Sequence, residues 1–126
     1  MTRIADLSLN LAPRQPEVVE SETIALGGIL PFDVRVFGVL PHMHTLGRTI
    51  SLEILRGGTT PECLIDVPRW DFHWQMAYWL TRPVTVTADD SARITCTFDT
   101  RTRSDTTRFG EGTEDEMCLA FVYVSL

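Results

Sequence analysis

Histidine and cysteine are scarce in this chain, with three of each among 126 residues. A site assembled from many imidazoles or thiolates is therefore excluded, and an odd cysteine count leaves at least one thiol without a partner in the chain. Long apolar runs are missing as well. Every hydrophobic stretch is interrupted by Arg, Asp or Pro well short of the roughly 18 residues needed to span a bilayer, and a membrane is set aside as a partner. Basic charge is in deficit: 11 Lys and Arg stand against 17 Asp and Glu, for a net charge of -6. The cations are scattered, so counterion release could not drive tight binding to nucleic acid, which is set aside too. No window holds an apolar period of 3.6 residues long enough for a helix. The opening "MTRIADLSLNLAPRQPE" has neither a sustained apolar core nor a small-residue cleavage pattern, and it reads as no signal peptide.

What remains is β pattern. Residues 1–20, with Pro13 and Pro16, suit an N-terminal arm or linker, and residues 21–126 suit one domain. Within the latter, "ETIALG", "FDVRVFGVL", "RTISLEIL", "CLIDVP", "FHWQMAYWL", "VTVTA", "ARITCTFDT" and "MCLAFVYVSL" are β-branched and aromatic runs separated by Gly, Pro, Asp and Thr. About seven or eight short strands at this spacing predict an all-β fold of two packed antiparallel sheets. The polar stretch 100–115, with Gly110 and Gly112, reads as a long hairpin loop before the last strand.

One apolar run ends in "LPHMHTLGR", residues 40–48. On an extended strand alternate residues share a face, so His42 and His44 point together while Met43 points away. Two readings stand. The pair is half of a metal site, since imidazole is a common ligand for copper and zinc, or it is two hydrogen-bonded histidines at a strand end. Met117, in "GTEDEMCLAF", is either a core gap filler or a third ligand. Two imidazoles with a thioether would make a soft, neutral set suited to Cu(I).

"PHMHTLGR", "WDFHWQMAY", "CTFDTR" and "GEGTEDEMC" together resemble, in order and spacing, the C-terminal domain of the copper type II, ascorbate-dependent monooxygenases, the family of peptidylglycine α-hydroxylating and dopamine β-monooxygenases. The resemblance covers roughly residues 28–126. It implies an antiparallel β-sandwich of jelly-roll type holding one copper, where dioxygen binds and substrate is hydroxylated, with ascorbate as external reductant. The copper ligands that it implies are His42, His44 and Met117. It also implies a disulfide between Cys96 and Cys118, with Cys63 left as a free thiol. His73 falls in the second motif and reads as a half-buried, hydrogen-bonded histidine or a residue close behind the ligands; Asp71, Trp74 and Gln75 of that motif read as structural.

Two departures qualify the resemblance. The family's hydroxylases carry a second copper on three histidines of an N-terminal domain, and this chain has two of its three histidines already committed. Two expectations follow: a domain excised from a longer, secreted or periplasmic protein, whose N-terminal copper domain is its electron-donating partner, or a lone relative that draws its electrons from elsewhere; the lack of a signal peptide fits the first better. Where peptide-amidating relatives grip a carboxylate with Arg, Asn and Tyr, this chain has Leu40, Leu119 and Phe121. A buried carboxylate with no partner is costly, so the expected substrate is a small apolar or aromatic molecule. A non-enzymatic copper-binding module, carrier or sensor, is the alternative.

Overall fold

The computed structural model describes residues 2–126. Ten strands are described: β1 (Thr2–Ala5), β2 (Asn10–Leu11), β3 (Val18–Ala25), β4 (Val34–His42), β5 (Gly47–Arg56), β6 (Thr60–Val67), β7 (Tyr78–Val86), β8 (Ser91–Phe98), β9 (Thr107–Arg108) and β10 (Leu119–Ser125). They form two four-stranded sheets, ordered β1-β10-β4-β7 and β3-β8-β5-β6, and a two-stranded ribbon, β2-β9. Every pairing between these strands is antiparallel, as suits an all-β sandwich.

The core is where the two sheets face each other. Val36, Val39, Ala120 and Val122 from one sheet meet Ile50, Leu52, Ile94 and Phe98 from the other. Each is buried because alternate side chains on a pleated strand share a face, and the burial of such side chains stabilises the fold by about 1.5–3 kcal/mol apiece. Cys96 on β8 and Cys118 just before β10 are joined across the sheets, 22 positions apart. Closing a loop of that length contributes about 3 kcal/mol in the chain-entropy account.

Three sequence expectations change shape. The run "FHWQMAYWL" is not one strand: Asp71 accepts a hydrogen bond from His73 N, capping a single 3-10 turn at Phe72–Trp74, and β7 starts only at Tyr78. β7 then absorbs "VTVTA", passing through Pro83, which is tolerated because β7 lies at the sheet edge. The stretch 100–115 is a crossover, not a hairpin loop, since β8 and β10 belong to different sheets. Residues 2–20 run along the sandwich but contribute strands: β1 pairs with β10, and Ile4, Leu9 and Leu11 are buried. Thr100, fully buried, ties this arm down through its Oγ1, which donates to Ala12 O at 2.7 Å and accepts from Gln15 N at 3.0 Å.

Candidate metal centre

β4 ends at His42, and the chain then turns. Met43 is fully buried, with Gly47 directly over it: a Cβ at Gly47 would lie 2.7–2.9 Å from the Met43 side chain. Met43 driven inward forces its two neighbours outward, as the alternation predicts. The His42 and His44 rings meet edge to face with centroids 5.2 Å apart.

Each ring is held by its Nδ1. His44 Nδ1 lies 2.9 Å from the Asp115 carbonyl oxygen, which can only accept, so the proton sits on Nδ1 and the Nε2 lone pair is free. His42 Nδ1 lies 2.6 Å from Gln75 Oε1. The Gln75 amide nitrogen donates to Phe72 O at 2.9 Å, which fixes the amide orientation and makes Oε1 the acceptor. Both imidazoles are thus set in the same tautomer, with Nε2 available as donor to a metal. Gln75, one of the residues expected to be structural, reaches the His42 ring because the 3-10 turn that Asp71 caps delivers it there. Trp70 adds a second brace, its Nε1 donating to His44 O at 3.2 Å.

Met117 lies just ahead of β10 and is 8% exposed. The glycines of the preceding loop make room for Asp115: a side chain at Gly110 would collide with the Asp115 carboxylate, which accepts from Gly112 N at 3.1 Å. Glu116 is fully buried. Its Oε1 accepts from His44 N at 2.8 Å and Met117 N at 3.2 Å, and its Oε2 accepts from Leu46 N at 2.8 Å. Burial pushes the carboxyl pKa up, and the N–H groups of Leu46, His44 and Met117 oppose that rise. Sequence reasoning passed over Glu116, although a signal was there. By alternation it shares the inward face with Cys118, Ala120 and Val122, where an acidic residue is an anomaly.

The remaining candidates divide. Leu40 and Phe121 are directly opposite one another on β4 and β10, both half-buried, and Leu119 stands opposite His42. Leu119 is only 2% exposed. His73 is not half-buried: its side chain is 83% exposed and lies 3.2 Å from Asp71 Oδ1, while Phe72 meets both His44 and His73 edge-on. Cys63 sits exposed on β6, and burial is the first cause that raises its thiol pKa. Among the described residues no three His, Cys, Asp or Glu side chains gather as a metal site. Two imidazole nitrogens completed by a thioether would suit copper better than zinc or iron.

Comparison with known proteins agrees with this chemistry. Residues 18–124 match the family model described as copper type II ascorbate-dependent monooxygenase, C-terminal domain. The chain is 32% identical over 120 residues to DBH-like monooxygenase protein 1 of Gallus gallus, covering 90% of this chain and 20% of that protein. It is 32% identical over 90 residues to tyramine beta-hydroxylase of Caenorhabditis briggsae, covering 71% and 15%, and 26% identical over 93 residues to dopamine beta-hydroxylase of Canis lupus familiaris, covering 74% and 15%. The chain thus spans a fifth or less of the length of these relatives. With the matched segment running from β3 through β10 and including both histidines, Glu116 and the bridged cysteines, the chain belongs to the copper type II ascorbate-dependent monooxygenase family and corresponds to its C-terminal domain.

Proposed function

We propose that this chain is the oxygen-activating, substrate-hydroxylating copper domain of an ascorbate-dependent monooxygenase, with one copper held by His42, His44 and Met117. The observation that carries the reading is the pair of occupied Nδ1 atoms: carbonyl oxygens of Asp115 and Gln75 fix both rings, which leaves two Nε2 lone pairs free, while Glu116 ties the His44 backbone to that of Met117. Copper, when bound, supplies one-electron redox chemistry with dioxygen as co-substrate.

The residues do the rest. Gln75 and Asp115 orient the rings, Cys118 anchors the strand that follows Met117, and Leu40 and Phe121 form an apolar wall two residues along the sheet from His42 and Leu119. A substrate held there finds no charge partner among these side chains, which favours a small apolar or aromatic molecule. Hydroxylation balances as one C–H bond, one dioxygen, two electrons and two protons giving one C–OH and one water. A single copper would supply one of the two electrons, so the second is assigned to an N-terminal copper domain of the full-length protein, recharged by ascorbate. Residues 21–126 are the copper domain in this scheme and residues 1–20 the arm leading into it. The inter-sheet disulfide supports a secreted or periplasmic site of action.

The test is turnover by the copper-loaded chain with ascorbate, oxygen and a small aromatic probe, with and without the N-terminal domain. The expected result is slow oxygen consumption without hydroxylated product for the chain alone, and coupled hydroxylation once the N-terminal domain is added. Tight coupling by the chain alone would contradict the two-domain scheme. One copper bound per chain, with no hydroxylation in the presence of the N-terminal domain, would favour the carrier or sensor.

A further inference from the structure

Neither His44 nor Met117 belongs to the β ladder. Pairing between β4 and β10 begins at His42 opposite Leu119, so no strand hydrogen bond fixes the second histidine relative to the methionine. Only side chains can. The backbone N–H groups of His44, Leu46 and Met117 all donate to one carboxylate, that of Glu116, although His44 and Glu116 are 72 positions apart in the chain. On one flank of Met117 stands this carboxylate, and on the other the Cys118 bridge to β8.

We infer that Glu116 is a positioning residue for the metal centre: a buried three-point clamp whose two oxygens set the distance between His44 and Met117. The inference rests on the copper reading above. It follows from donor and acceptor counting. A carboxylate offers two acceptor oxygens to three N–H groups, whereas the isosteric amide offers one acceptor and one donor. In Glu116→Gln, either amide orientation turns an NH2 group against an N–H: against Leu46 in one, against His44 and Met117 in the other. Buried donors facing donors are expelled or left unpaired, and the backbone of Met117 is displaced relative to that of His44. Both ring tethers, at Gln75 and Asp115, survive the change, so the two nitrogens should remain together while the sulfur is lost.

The experiment is X-ray absorption and Cu(I) competition titration on the wild type, on Glu116→Gln, and on Ile54→Val as a core control away from the site. The expected result is a copper-sulfur scatterer in the wild type and in Ile54→Val. In Glu116→Gln it should be absent, with copper-nitrogen scattering retained and affinity lowered at least tenfold. A folded Glu116→Gln variant that keeps the sulfur scatterer and binds within about twofold of wild type overturns the inference. Amide hydrogen exchange on the metal-free wild type reads the clamp without any variant. One common, slow opening for His44, Leu46 and Met117 supports it, and independent fast exchange of the His44 and Leu46 amides overturns it. A wild type that binds copper with no sulfur contradicts the ligand assignment itself, and the amide exchange then decides the clamp alone.

Discussion

β4 and β10 lie side by side along the whole of one sheet, and their two ends are built on different principles. At the His42 and Leu119 end, positions are set by directional contacts: ring nitrogens on carbonyl oxygens, a buried carboxylate on three N–H groups, a disulfide. At the Val34 and Val124 end the same strands, with Ile54 and Leu64 of the facing sheet, surround an apolar cavity of about 270 Å³. Hydrophobic contact is non-directional and demands only volume, so that end can be loosely filled and still support the fold. The polar end has no such latitude, because a hydrogen bond made badly leaves a buried group unpaired. The contrast separates what keeps this domain folded from what orients His42 and His44.

Truncating a buried side chain at each end should break the comparison most visibly. Met43→Ala, beneath the two histidines, should lower the unfolding free energy by about 2–5 kcal/mol and weaken copper binding with it. Ile54→Ala, beside the existing cavity, should cost about 2 kcal/mol and leave copper affinity within about twofold; chemical denaturation and Cu(I) titration read both. Equal copper losses for the two variants would show that the ends are not independent.

Removing the bridge, as Cys96→Ser with Cys118→Ser, should cost about 3 kcal/mol. Thiol counting on denatured, unreduced wild type should find one thiol, that of Cys63, and three would contradict the bridge. A smaller but more selective effect is expected of Gln75→Ala. Release of the His42 ring should reduce copper affinity about 10–100-fold, equivalent to about 1.4–2.7 kcal/mol, with a nearly unchanged denaturation midpoint.

The smallest effect concerns Asp99, whose carboxyl is held at about 2, below the ordinary 3.8, chiefly by hydrogen bonds from the Arg101 side chain. Its folded pKa lies below its unfolded one, so its contribution is fully present above pH 3.8 and fades as pH falls toward 2. Asp99→Asn should melt slightly below wild type at neutral pH, and the two melting curves should converge by about pH 2. A constant gap across that range would assign the difference to something other than the ionised carboxyl.

Much of this contrast is legible in the sequence, because the apolar end is written in alternation. "RTISLEIL" and "ARITCTFDT" announce β5 and β8 through a period of two, and the core follows from it. The His-Met-His alternation announced the outward histidines for the same reason. What failed depended on partners distant in sequence. "FHWQMAYWL" has strand composition, but the Asp71 cap turns its first half into a 3-10 turn, and only that turn brings Gln75 to His42. The loop before Met117 looked like a hairpin because its glycines signal reversal, while the sheet to which each flanking strand belongs is decided by tertiary packing. Glu116 was visible as an acid on an inward face, yet its three donors come mostly from a segment some 70 residues earlier and cannot be read locally.

The central claim is that the directional end of the sheet presents two imidazole nitrogens and one thioether to a single copper. X-ray absorption on the reduced, copper-loaded chain and on Met117→Ala tests it most directly. The account predicts two nitrogen ligands and one sulfur in the wild type, and loss of the sulfur alone in the variant. A copper-sulfur scatterer that persists in Met117→Ala would contradict it and move the sulfur to another residue, with exposed Cys63 the first to examine.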